Sequence, residues 1–208
     1  MEKTDALIIR IADFSETSRV VTFFTREMGK VATVAKGGRR LKGPFEAALD
    51  LLTTCRIVFI RKSSASLDIL TEAQLKSRFQ PKTKDLNTLY GGYYVAELLQ
   101  GLTEDYDPHR SWYDEAVRTL DQLSQGGETR IPILRFEFVT LREIGHLPAF
   151  DECGVCGESN LRMSTSVAYS PTMGLICGVC QNEETNQQRI QTGTVAILQR
   201  LTSEEQIT

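Results

Sequence analysis

At 208 residues the chain can bury one large core or two small ones. Its apolar and charged fractions, 41% and 25%, are those of an ordinary globular protein, and no stretch approaches the roughly 18 consecutive apolar residues of a membrane-spanning helix. The net charge of −3 conceals an asymmetry: residues 1–80 carry 14 Lys/Arg against 9 Asp/Glu, whereas residues 81–208 carry 10 against 18.

Met1 to Phe14 alternates charge with hydrophobicity and lacks the basic-then-apolar order of a secretory signal, so the expected location is the cytoplasm. Five cysteines, four of them in two close pairs, argue against a disulfide framework in that compartment.

In chain order the first half reads as β structure. Thr4 to Ile11, Ser18 to Thr25, Lys30 to Ala35, Leu51 to Ile60 and Leu67 to Leu75 are short runs rich in Val, Ile, Thr and Phe, and polar or glycine-containing turns separate most of them. Five strands at this spacing predict a small closed barrel of the OB type, with an SH3-like barrel as the alternative. Phe23 and Phe24 are adjacent in one of these runs, so one must face the core and the other the opposite side.

The pattern changes near Arg78 to Lys84, which divides the chain into residues 1–80 and 81–208. Leu86, Leu89, Tyr90, Tyr93, Tyr94 and Leu98 recur at three- and four-residue steps and predict a helix buried along that stripe, interrupted by Gly91-Gly92, which would mark a close contact. A second helix is expected after Asp107 with Pro108 in its first turn, buried through Trp112, Ala116, Val117, Leu120 and Leu123 and ended by Gly126-Gly127. A third runs from about Thr129 to Ile144, stopped by Gly145 and Pro148, and a last covers about Thr192 to Leu201.

Between the last two helices, at about 151–182, lies a cysteine-bearing excursion. Cys153-Gly-Val-Cys156 is followed by Cys177-Gly-Val-Cys180. Two intervening residues let both sulfurs of a tight turn face one point, and two such turns supply four thiolates in the tetrahedron that zinc accepts. One structural Zn2+ held by Cys153, Cys156, Cys177 and Cys180 is therefore expected. A redox dithiol or two disulfides are the competing readings, and a closed four-thiolate shell leaves no open position for a catalytic water. Cys55, inside a predicted strand and with no histidine near it in sequence, reads as a buried inert thiol.

From Lys30 to Phe45 there are five cations and no acid: Lys30, Lys36, Arg39, Arg40 and Lys42, interspersed with Gly37, Gly38 and Gly43. Such a loop on a barrel rim suits a phosphate backbone, with Arg61, Lys62 and Arg19 as additional contacts and Phe14, Phe23, Phe24 and Phe45 as candidate base-stacking residues. A plain solvated loop is the alternative. Neither a P-loop lysine, a Ser-His-Asp set nor a paired-carboxylate motif stands out, and there are only two histidines, so the chain does not read as an enzyme and no small-molecule substrate or membrane partner is expected.

Several segments in order resemble the RecO family of bacterial recombination mediators: Ser15-Glu16-Thr17-Ser18-Arg19, then Phe24-Thr25-Arg26-Glu27-Met28-Gly29-Lys30, then Val34-Ala35-Lys36-Gly37-Gly38-Arg39-Arg40. Tyr93 to Leu98 looks like a family helix, and Arg135-Phe136-Glu137-Phe138 leads through Gly145-His146-Leu147-Pro148 into the first cysteine pair. The resemblance implies an N-terminal OB fold, a helical domain and a zinc excursion inserted in it. It further implies a DNA-repair protein that binds single- and double-stranded DNA, anneals complementary strands, and assists RecA loading together with a RecR-like protein and single-stranded DNA-binding protein. The alternative is a zinc-stapled protein-interaction module that does not bind DNA. The chain ends soon after Leu201, earlier than is usual for the family, and its acidic helical half places DNA on the barrel side.

Overall fold

The computed structural model describes residues 1–39, 45, 48–62, 67–82, 85–159, 166–181 and 187–202. Five strands come first: β1 (Glu2–Asp13), β2 (Arg19–Thr25), β3 (Gly29–Ala35), β4 (Thr53–Ile60) and β5 (Asp68–Arg78). Three helices follow, α1 (Leu86–Leu102), α2 (Arg110–Gln125) and α3 (Arg130–Glu143). Then come β6 (Ser166–Ser170), β7 (Gly174–Ile176), β8 (Gln188–Gln191) and α4 (Thr192–Thr202). The fold is α+β, as the sequence indicates. It divides into two compact units, Met1–Glu137 and Phe138–Thr208.

The first five strands close into a barrel in the order β1-β2-β3-β5-β4. β1 makes closure possible because it serves two neighbours. Its Glu2–Leu7 stretch pairs with β4 and its Ala6–Asp13 stretch with β2, with an irregularity between Ile8 and Arg10 where the strand bends. The parallel contact of β3 with β5 spans only Thr33↔Asp68 and Val34↔Ile69. This is the OB-type arrangement. Alternating residues fill the interior, among them Ile8, Val21, Phe23, Val31, Ile57, Phe59 and Leu70, each no more than 3% exposed.

Phe24 points the other way, and α2 covers it. Its ring meets Trp112 edge-on at 6.1 Å and lies 6.3 Å from Tyr113. Arg26, just beyond β2, donates two hydrogen bonds to the Asp114 carboxylate, at 2.7 and 2.9 Å. The segment between α1 and α2 runs beside β3: the Tyr106 N–H donates to the Lys30 carbonyl at 3.0 Å, and a Cβ at Gly29 would lie 2.0 Å from the Asp107 carbonyl oxygen. Gly29, with φ +69°, is thus required both for its backbone conformation and for the close approach.

Two helix expectations need correction. The buried face of α1 is Thr88, Gly91, Gly92, Val95, Ala96 and Leu99, whereas Leu86, Tyr90, Tyr93 and Tyr94 are exposed and Leu89 and Leu98 half-buried. The small residues win because they admit the backbone: a Cβ on Gly92 would sit 2.6 Å from the Phe79 ring and 2.9 Å from Leu52. Burying the large side chains would have held the helix away from the barrel. Helix α2 begins at Arg110, so Pro108 precedes its first turn instead of lying within it. Its buried residues include Trp112, Ala116, Leu120 and Leu123 as expected, together with Tyr113, Glu115 and Thr119.

Glu115 is only 1% exposed, and Arg118 (3.2 Å) and Arg135 (4.0 Å) meet its carboxylate. No described helix is long and apolar enough to cross a membrane.

Candidate functional sites on the barrel rim and in the cysteine lobe

Strand register decides which of the basic residues share a surface. Arg19 opens β2 and pairs with Asp13 of β1 on one side and Ala35 of β3 on the other. The turn after β3 folds back onto the β1–β2 hairpin: the Arg39 N–H donates to the Thr17 carbonyl at 3.2 Å, and Arg39 Nη1 to the Ser15 carbonyl at 3.1 Å. Arg19, Lys36 and Arg39 therefore belong to one end of the barrel. Lys36 and Arg39 are exposed and Arg19 half-buried. Arg40 and Lys42 lie outside the described residues.

Acidic groups temper this cluster. Asp13 stands 3.5 Å from both Arg19 Nε and Arg39 Nη1, an open geometry between partly exposed side chains. Exposed ion pairs of this kind contribute little to stability, about 0–1 kcal/mol, so a polyanion can replace Asp13 at small cost. Glu16 is exposed on the same hairpin.

The remaining predicted cations sit elsewhere. Lys30 is turned inward: its ammonium donates to the carbonyls of Gln100 and Thr103 at the C-terminal end of α1, with Asp105 at 3.9 Å. A cation at that end also meets the negative pole of the helix. Arg61 and Lys62 are exposed where β4 ends, beside the start of β5. The Arg61 guanidinium lies 3.8 Å from the Tyr106 ring centroid, and the Tyr106 hydroxyl donates to Asp68, which also accepts from the Lys62 N–H at 2.8 Å. Burial, then this hydrogen bond, push the Tyr106 phenol up to about 12.

Of the candidate stacking residues, Phe23 and Phe24 are fully buried and Phe45 is 5% exposed, while Phe14 is 62% exposed.

The cysteines converge. The four sulfurs of Cys153, Cys156, Cys177 and Cys180 all lie within 4.8 Å of one another. Cys156 and Cys177 are 3.7 Å apart, close to the roughly 3.8 Å edge of a tetrahedron with about 2.3 Å zinc–sulfur bonds. The first turn is closed by Gly157 N–H to the Cys153 carbonyl (2.8 Å) and the second by Cys180 N–H to the Cys177 carbonyl (3.1 Å). Gly154 N–H donates to the Leu175 carbonyl at 2.8 Å, and a Cβ at Gly154 would meet the Met173 carbonyl oxygen at 1.5 Å. Gly157 is needed for its φ of +72°; at Gly178 nothing crowds an added Cβ.

The local electrostatics favour a cation. Burial opposes ionisation of Cys153, but N–H donors from Cys177, Cys156 and Val155 outweigh it and draw the thiol down to about 6. Hydrogen bonding with Cys177 and Cys156 holds Cys180 up to about 12. Sulfurs this close cannot all carry charge unless a cation sits among them. The donor set and its spacing fit a metal ion.

These features define the class: an OB-type barrel protein with a helical region and a lobe of four clustered cysteines able to hold a metal ion. A family model described as Recombination protein O N terminal matches residues 1–79, and one described as Recombination protein O C terminal matches residues 83–207. The chain is 38% identical over 205 residues to the DNA repair protein RecO of Rhodopirellula baltica, spanning 97% of this chain and 75% of that protein. It is 27% identical over 198 residues to the RecO of Listeria monocytogenes (95% and 76% covered) and 28% over 199 residues to that of Symbiobacterium thermophilum (95% and 78%). The chain belongs to the RecO family and is a DNA-repair recombination protein.

Proposed function

We propose that this chain is a cytoplasmic recombination mediator that binds single- and double-stranded DNA, anneals complementary strands, and assists RecA loading with a RecR-like protein and single-stranded DNA-binding protein. The observation that carries the reading is the exposed Lys36–Arg39 turn, bonded to the β1–β2 hairpin on an OB-type barrel of a RecO-family chain. Annealing makes and breaks no covalent bond, so no catalytic residue is needed. The obstacle is phosphate repulsion between strands, and a cationic rim removes it by displacing counterions. Lys36 and Arg39, with Arg19, Arg40 and Lys42, form the principal contact, and Arg61 and Lys62 a second one. Lys30 instead fastens α1 to the barrel. Residues 1–80 act as the DNA-binding domain and 81–208 as the helical domain.

The test is a titration of the full chain with labelled single-stranded DNA at several salt concentrations. Replacing Lys36 and Arg39 together by Ala should weaken binding and lower the slope of log K against log salt by about 0.7 per lost contact. An unchanged affinity and slope, with folding intact, would refute the reading.

The metal proposed for the cysteine lobe is one Zn2+ per chain, a closed-shell dication that accepts four thiolates tetrahedrally. Its role is to hold the two turns together. A second reading, a protein-interaction module without DNA binding, is favoured by the exposed Leu86, Tyr90 and Tyr93 of α1. It predicts no retention on a single-stranded DNA column at low salt.

A further inference from the structure

The β1–β2 hairpin carries one large apolar side chain left in water. Phe14 is 62% exposed, while the nearby barrel phenylalanines Phe23, Phe24, Phe45 and Phe59 are no more than 5% exposed. The segment that displays it is ordered by its own hydrogen bonds. Phe14 N–H and Ser15 N–H both donate to the Ser18 carbonyl, at 3.1 and 3.2 Å, and Ser18 N–H donates to Ser15 Oγ at 3.2 Å.

The residues on either side of Phe14 both touch one cation: Asp13 pairs with Arg39 Nη1 at 3.5 Å, and the Ser15 carbonyl accepts from the same atom at 3.1 Å. Arg39 is thus anchored to the same short turn that carries Phe14. Beside them an open cleft is lined by Ile11, Asp13, Arg19, Leu49, Asp50 and Leu51. A polynucleotide laid over this hairpin would meet a guanidinium for its phosphate and an aromatic face for its base. A duplex hides its base faces in the stack, so only a single strand can use the second contact.

We propose that Phe14 is a base-stacking platform that gives this rim a preference for single-stranded over duplex DNA, and that Asp13 is the carboxylate a phosphate displaces from Arg19 and Arg39. The inference rests on the reading of the rim as the DNA interface. Stacking is sequence-tolerant, because every base has a π face. Asp13 limits affinity, so that a bound strand can be released to its complement.

The experiment compares the full chain with its F14A, F14W, D13N and R39A variants, each titrated with an unstructured single strand and with a duplex. F14A should weaken single-strand binding roughly tenfold and leave duplex binding within about twofold, since its phosphate contacts persist. F14W should restore single-strand affinity, and because Trp112 is the sole native tryptophan and is fully buried, quenching of the new indole by the strand reports stacking directly. D13N should tighten both substrates. If R39A weakens binding while F14A has no effect, or lowers both substrates equally, the stacking proposal falls and the rim interface stands. If R39A also has no effect, the interface itself is wrong. D13N binding no tighter than the native chain would overturn the displacement by phosphate.

Discussion

The barrel and the cysteine lobe solve the same stability problem with different means. The barrel closes its sheet on itself and, among the described residues, buries a cluster of twelve, with Phe23, Ile57 and Phe59 fully enclosed. Among the described residues, the three-stranded sheet of the lobe, in order β7-β6-β8, has a buried cluster of Val167, Leu175 and Val195, with Tyr169 and Ile190 partly buried against it. So small a core does not offset the conformational entropy of the residues around it, and the proposed metal staple would supply what the apolar area lacks. On the proposed metal reading the cysteines act as the lobe's substitute for a core, while the barrel rim is free to present charge because its interior already stabilises it.

The sharpest way to break this contrast is to remove the staple. Cys153→Ser or Cys177→Ser should abolish binding of about one zinc per chain and release the lobe's amide protons to fast exchange while the β1–β5 amides stay protected. Metal analysis and hydrogen exchange read both halves. A native preparation without metal, or a lobe still protected in the variant, would contradict the comparison.

Next in size is Phe23→Ala. Emptying the barrel centre should cost about 3–5 kcal/mol in a denaturant titration. A loss below about 1 kcal/mol would mean that the barrel is not held by its apolar interior.

Gly92→Ala sharpens the account of α1. The added methyl meets Phe79 and Leu52 inside 3 Å, so a loss of about 1–3 kcal/mol is expected despite alanine's better helix propensity. A stabilised variant would show that the glycine face is not needed for close packing.

The smallest effect separates the two kinds of cysteine. Burial pushes the Cys55 thiol up to about 12. A thiol raised in the folded state contributes stability fully present below its unfolded value of about 8.5, and that contribution is lost as pH rises toward about 12. In the folded chain at neutral pH, Cys55 should therefore resist alkylation, with or without a chelator. The four lobe thiols should react only after the chelator strips their metal. Labelling counted by mass spectrometry distinguishes them.

Much of this was legible in sequence because the relevant physics is local. Short runs rich in Val, Ile, Thr and Phe, separated by polar or glycine-containing turns, mark the five barrel strands, and adjacent Phe23 and Phe24 have to face opposite sides. The Cys-x-x-Cys spacing declared four convergent sulfurs before any coordinates did. What was misread was non-local. The apolar stripe Leu86–Tyr90–Tyr93–Tyr94 has helical spacing but faces water, because closeness to Phe79 and Leu52 selected the glycine face. Lys30 belongs to the basic run by composition, yet its ammonium meets carbonyls some seventy residues away. The three strands around the cysteines were missed because each is only three to five residues long.

The sequence by itself determined the five barrel strands, the four helices and the cysteine donor set, since each depends on residues a few positions apart. Only the tertiary structure decided which cations share a rim, which aromatic remains in water and which helix face packs inward. Those outcomes depend on strand register and on how closely two backbones approach, and neither is a property of any short segment.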